Sequence, residues 1–179
     1  MSAPRLDGFP ADAPRLVVVA GLPGTGMTTL ARPLAESLAA AYLRVDAVET
    51  ALERVTGTPA GIAGYAVVHE VAASNLLLGL PVVIDAVSPV PESRASWQGL
   101  AERAGAALTV LETRLDDAAE HRRRVEARLP DLPEQRVPTW SDVTSLDYAQ
   151  WDEDRDGERT SVDTTDRGAA LAAALVAIG

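Results

Sequence analysis

The stretch from Arg15 to Ala31 constrains this chain more than any other. Arg15-Leu16-Val17-Val18-Val19-Ala20 is almost continuously apolar, as strands buried on both faces of a parallel sheet are. It runs directly into Gly21-Leu22-Pro23-Gly24-Thr25-Gly26-Met27-Thr28-Thr29, and Thr28-Thr29-Leu30-Ala31 opens a helix. Strand, glycine-rich turn and helix, in that order, are the setting in which the pattern Gly-x-x-x-x-Gly-Lys-Ser/Thr holds a phosphate. Glycines at 21, 24 and 26 allow positive φ, so the turn can aim its N–H groups inward beside a helix N-terminus. Leu22, Pro23, Gly24, Thr25, Gly26, Met27, Thr28 and Thr29 are thus expected around a nucleotide's phosphates, with the Thr28 hydroxyl on Mg²⁺. Met27 stands where the lysine of the pattern belongs, and a thioether cannot supply its charge. The same nine residues announce nucleotide binding and withhold a group that phosphate transfer uses.

Strand and helix signals then alternate to the end of the chain, the α/β pattern of a parallel sheet covered on both faces. Helices are expected at about 28–41, 61–78, 91–104, 116–129 and 167–178. Strands are expected at 42–45, 81–85, 107–115 and 160–163. Residues 1–14 read as a loose leader before a single domain at 15–179, and the Pro-rich stretch 130–138 as a loop. The acidic run between Asp142 and Glu158 lacks the fixed alternate spacing of a calcium loop and reads as a solvated loop.

Composition narrows the function classes. At 179 residues the chain can bury a substantial core, and 4% aromatic content leaves that core to Val, Leu and Ala. A formal charge of −10 argues against nucleic acid or an anionic membrane as the main partner. No cysteine is present, so thiolate chemistry is excluded; two histidines are too few for a His-built metal site. These features point to a cytoplasmic protein, monomeric or homodimeric. All 16 basic residues are arginine, and the chain contains no lysine; a single base change from a lysine codon gives methionine, which fits natural drift and deliberate inactivation of position 27 equally.

In open parallel sheets, ligands lie beyond the carboxyl ends of the strands. Asp46 follows the second strand and Asp85 ends the third, Val82-Val83-Ile84-Asp85. Asp85 is placed to hold Mg²⁺ with Thr28; the alternative is a cap or turn role. Asp46 is placed to accept the proton of a substrate hydroxyl, or simply to cap a helix beginning at Ala47. Tyr65 and His69, one helical turn apart, would touch substrate if their face looks over the cleft. Trp140 offers a ring for stacking or a plug beneath a lid. Glu120-His121-Arg122-Arg123-Arg124-Val125-Glu126-Ala127-Arg128 concentrates four arginines in two turns, with Arg124 and Arg128 on one side and Arg122 on another. Arg124 and Arg128 are the candidates for stabilising charge during transfer, and Arg122 for nucleotide contact.

With these residues in place, the chain resembles the small P-loop kinases that include gluconate kinase, chloramphenicol phosphotransferase and the zeta-toxin kinases. The likeness covers roughly 15–178, and its specific part is Gly21–Thr29. The run His121–Arg128 followed by Pro138-Thr139-Trp140-Ser141-Asp142-Val143 is also similar to bacterial proteins labelled AAA-family ATPases. The resemblance implies a three-layer P-loop NTPase fold with a five-stranded, mostly parallel sheet ordered 2-3-1-4-5 and an Arg-bearing helical lid. It further implies ATP with Mg²⁺ as donor and a small hydroxyl compound as acceptor. Met27 leaves three readings open: a kinase impaired by loss of its lysine, an enzyme using lid arginines instead, or a silent nucleotide- or phosphate-binding module.

Overall fold

A computed structural model describes residues 13–179; the expected leader at 1–14 falls, but for its last two residues, outside the described residues. The elements run β1 (Arg15–Gly21), α1 (Met27–Ser37), β2 (Ala41–Arg44), α2 (Val45–Thr56), α3 (Ala63–Leu77), β3 (Val82–Asp85) and α4 (Pro91–Ala104). They continue as β4 (Ala107–Arg114), α5 (Ala118–Glu126), α6 (Trp140–Thr144), α7 (Glu153–Asp156), β5 (Thr160–Asp163) and α8 (Arg167–Ile178). The five strands form one sheet in the order β2-β3-β1-β4-β5, and every pairing is parallel.

Alternate residues of β1 feed two separate apolar layers, as the two-residue side-chain period of a strand requires. Leu16 and Val18 join Ile84, Val68, Leu76, Trp97 and Leu100 beneath α3 and α4. Val17 and Val19 join Val83, Leu30, Leu34, Val162 and Ala174 beneath α1 and α8. The result is the three-layer α/β arrangement expected from the sequence. Register aligns Val19 with Asp85 and Asp85 with Arg44, so the loop after β1, Asp85 and the end of β2 share one edge of the sheet.

Several boundaries differ from the sequence expectation, each for a local reason. Helix α1 ends at Ser37, because Ala39 adopts φ 48° and turns the chain into β2. Helix α5 starts at Ala118, with the Asp117 side chain accepting from the N–H groups of Ala119 and Glu120. Strand β2 passes into α2 at Val45 with no intervening loop. Arg44 therefore holds the N-cap position and Asp46 the second helical position, which removes the capping role considered for Asp46. The acidic run is not wholly solvated: it carries α7, and Asp156 and Trp151 are buried. No helix among the described residues is long and apolar enough to cross a membrane.

Candidate functional site

The turn between β1 and α1 is held largely through its carbonyl groups, with the Thr25 N–H also donating to Leu22 O at 3.2 Å. Thr25 Oγ1 donates to Leu22 O at 2.7 Å, and His121 Nε2 donates to Pro23 O at 2.9 Å. The Thr164 hydroxyl, from the turn after β5, donates to Thr25 O. Thr113 Oγ1 of β4 lies 2.7 Å from Thr25 Oγ1 and 3.0 Å from Ala20 O, tying the turn to the sheet. Gly24 has φ 89°, and a Cβ there would overlap Val125 of α5, so the arginine-bearing helix rests directly on the turn. Gly26, in the left-handed region, is the N-cap of α1. No side chain caps that helix and no acid sits in its first turn. Its first N–H groups are thus left to an anion.

A cleft of about 440 Å³ opens above this N-terminus, lined by Gly24, Thr28, Arg123, Arg124, Arg128 and Arg167 among others. Arg124 is fixed across it: Nε donates to Glu120 at 2.7 Å, Nη1 to Thr164 O at 3.0 Å and Nη2 to Thr165 O at 3.4 Å. Its planar guanidinium thereby joins α5 to the turn before α8. Arg122 does not reach the cleft. It lies on the other side of α5, largely exposed and paired with Glu126 at 2.7 Å. Met27 is buried within the apolar layer of Leu30, Val83 and Val162, and is also one of the residues lining the cleft.

Asp85 is buried at the strand ends, and its Oδ2 accepts from Thr28 Oγ1 and Tyr42 Oη, both at 2.7 Å. Burial pushes its carboxyl above the ordinary range; the bonds from Tyr42 and Thr28 and the Arg44 charge oppose this. Thr28 and Asp85 thus bring two hard oxygen groups together at the mouth of the turn, a donor set that suits Mg²⁺ with its retained waters.

Asp46 Oδ2 receives three donors: Arg44 Nη2 at 2.9 Å, Gln135 Nε2 at 3.0 Å and Arg128 Nη2 at 3.2 Å. Arg44 Nη1 also donates to both carboxylate oxygens of Asp131, which in turn pairs with Arg32 of α1. The segment after α5 is thereby tied to both α1 and β2. One turn along α2, Glu49 lies over Gly64 so closely that no side chain fits there. Burial, then the like charges of Asp46 and Glu53, push the Glu49 carboxyl up to about 7.

That shift has a sign. An acid raised in the folded state favours folding below its unfolded value and costs stability as pH rises through the folded value. Glu49→Gln should therefore raise the melting temperature at pH 8 and leave it unchanged near pH 4. A melting difference independent of pH would show that Glu49 is not held protonated.

The aromatic candidates divide. Tyr65 Oη accepts the Ser88 N–H at 3.3 Å, which places it on the loop just beyond Asp85. His69 is engaged by α4 instead: its ring stacks on Trp97 at 4.2 Å and its Nε2 lies 3.0 Å from Ser96 Oγ. Burial and Arg103 lower its pKa. Trp140 meets the edge of His121 at 5.2 Å and borders a neighbouring cleft with Arg122 and Pro138. Sequence reasoning missed Arg123, Arg167, Thr164, Arg44, Gln135 and the loop-holding His121. Only Arg123 carried a local signal, through its neighbours in the arginine run.

Comparison with known proteins places this geometry. The chain has the fold of a gluconokinase from Sinorhizobium meliloti, at 18% identity over 93% of this chain and 92% of that one, with a TM-score of 0.64. It is also similar to a sugar kinase from Janibacter sp., at 18% identity over 92% and 94%, TM-score 0.65. A third likeness is Chaetomium thermophilum Kti12, solved with ADP-AlF3, at 21% identity over 92% and 99%, TM-score 0.67. No curated protein matches the sequence. A family model described as AAA_33, AAA domain, matches residues 16–144. That match takes in the glycine-rich turn, both strand-end acids and the arginine helix, and the chain belongs to this AAA domain family.

Proposed function

We propose that the protein is a nucleotide-dependent phosphotransferase that moves the γ-phosphoryl group of ATP to a hydroxyl of a small molecule, at a rate limited by Met27. The observation that carries this reading is the 2.7 Å bond between Thr28 Oγ1 and Asp85 Oδ2, set at an uncapped helix N-terminus beneath four arginines. Thr28 and Asp85 would hold Mg²⁺, which when bound neutralises charge on the phosphate oxygens. The acceptor oxygen attacks the γ-phosphorus, the bond to the bridging oxygen of ADP breaks, and Asp46 takes the acceptor's proton. Arg124 presents a flat, fixed guanidinium to the cleft, suited to a base or an α-phosphate. Arg128 lies nearer the strand-end acids and suits the transferring group. Tyr65 and Glu49 wall the acceptor side. The gluconokinase and sugar kinase likenesses support a hydroxyl acceptor in kind, and leave its identity to a substrate screen.

The clustering of Arg123, Arg124, Arg128 and Arg167 supports a second reading, in which arginines replace the missing lysine. Both readings require the anion site to work without residue 27. Titration calorimetry with ATP, ADP and GTP in millimolar Mg²⁺ should show binding. Thr28→Ala should weaken it with Mg²⁺ present and change it little in EDTA. No binding of any nucleotide would overturn both readings.

A further inference from the structure

Asp46 and Arg128 occupy opposite roles in the proposed reaction, yet the fold pairs them with each other at 3.2 Å. We infer that this contact is a self-masking latch: Arg128 is held on Asp46 until a nucleotide's phosphates draw it away, so filling the phosphate loop lifts one of the two guanidinium charges from the acceptor-side acid and leaves Arg44 to orient it. The inference rests on the nucleotide reading above.

The three donors on Asp46 Oδ2 are not equivalent. The Arg44 side chain is only 4% exposed and is locked by two further bonds to Asp131. Gln135 is buried and also accepts the Asp131 N–H through its Oε1. The Arg128 side chain is 25% exposed, makes the longest of the three contacts, and has no other side-chain partner among the described residues. It is also the only one of the three that lines the phosphate cleft. The labile member of the cluster is therefore the one a phosphate can reach.

The exchange is favourable on chemical grounds. A guanidinium meets a phosphate through two parallel N–H···O bonds, whereas Arg128 reaches Asp46 through one nitrogen at 3.2 Å. Releasing it does not unfold the surrounding segment, because Asp131 remains held by Arg32 and Arg44. The self-contact lowers nucleotide affinity by the fraction of molecules in which Arg128 is occupied. Coupling is reciprocal, so an acceptor that engages Asp46 strengthens nucleotide binding.

Asp46→Asn tests this without knowledge of the acceptor. The amide oxygen still accepts from Arg44 and Gln135, while the charge that retains Arg128 is gone. Calorimetry with AMP-PNP and Mg²⁺ should show binding about threefold to tenfold tighter than wild type. In an Arg128→Ala background the same substitution should add nothing, since no guanidinium remains to be freed. Unchanged or weaker binding by Asp46→Asn, with wild-type binding intact, overturns the latch. An equal gain in the Arg128→Ala background does so too, because it reports a general charge effect. If wild type fails to bind AMP-PNP at all, the nucleotide reading falls and the latch falls with it.

Discussion

Met27→Lys should accelerate phosphotransfer by roughly two to four orders of magnitude while leaving the fold intact. Met27 packs among Leu30, Val83 and Val162 and is one of the residues lining the phosphate cleft. A lysine there could keep its methylenes against that apolar layer and extend its ammonium group into the cleft. There it would meet the β/γ-phosphates and the charge that develops on them during transfer. A charge-assisted hydrogen bond contributes about 1.5–3 kcal/mol, and each 1.36 kcal/mol is about tenfold in rate. The measurement follows labelled γ-phosphate onto a panel of hydroxylated metabolites, with thermal melting as the folding control. If the methionine form is already fully active and lysine adds nothing, the clustered arginines supply the charge. If both forms are inert with every acceptor while still binding nucleotide, the chain is a binding module.

The second large effect concerns stability. Asp156→Ala should lower the unfolding free energy by about 3–5 kcal/mol, measured by urea denaturation. Arg94 and Asp156 are 1% and 0% exposed in their side chains, and they meet at 2.7 Å. Arg94 also donates to Ser88 O, Pro89 O and Ala149 O and lies over the Trp151 ring at 4.6 Å. A guanidinium cannot shed its proton, so removing the carboxylate strands a buried cation. Asp156→Asn, which keeps the shape, should cost less. The Arg155 contact holds the Asp156 carboxyl well below the usual carboxylate range, burial works against it, and the Asp152 N–H and Arg94 add to it. An acid lowered in the folded state contributes its stability above its unfolded value and loses it as pH falls through the folded one. The gap between wild type and Asp156→Asn should therefore hold from pH 8 to pH 5 and narrow only below about pH 4. A difference within about 0.5 kcal/mol at pH 7 would show the pair to be stabilising nothing.

These two sites differ in how far the sequence exposes them. Gly21–Thr29 is legible because the turn's chemistry is contiguous: glycines, hydroxyls and a flanking strand all lie within fifteen residues. Sheet order followed from the resemblance that this turn carries, and the register then brought Asp85 to Thr28. Arg94 and Asp156 stand 62 positions apart, and a run of acids between Asp142 and Glu158 looks solvated when each is counted alone. His121 and Pro23 are separated by 98 positions, and nothing near either announces the bond. Asp46 was recognisable as a strand-end acid. Its three partners come from β2 and from two points in the segment just beyond α5, so the cluster could only appear once the chain was folded. His69 shows the converse. Its spacing from Tyr65 suggested a shared face, but the stacking demand of Trp97 takes the imidazole for α4.

The bare Cα of Gly24 beneath Val125, with His121 gripping Pro23 O, has a mechanical consequence. The opening turns of α5 form a fixed jaw with the phosphate turn, not a swinging gate. Any gape begins after Glu126, where the helix stops and the chain is moored by Asp131 and Gln135. Arg124 belongs to the jaw and Arg128 to the movable lip. On the proposed reading, two arginines four residues apart divide the labour, the first setting where a nucleotide sits and the second responding to its arrival.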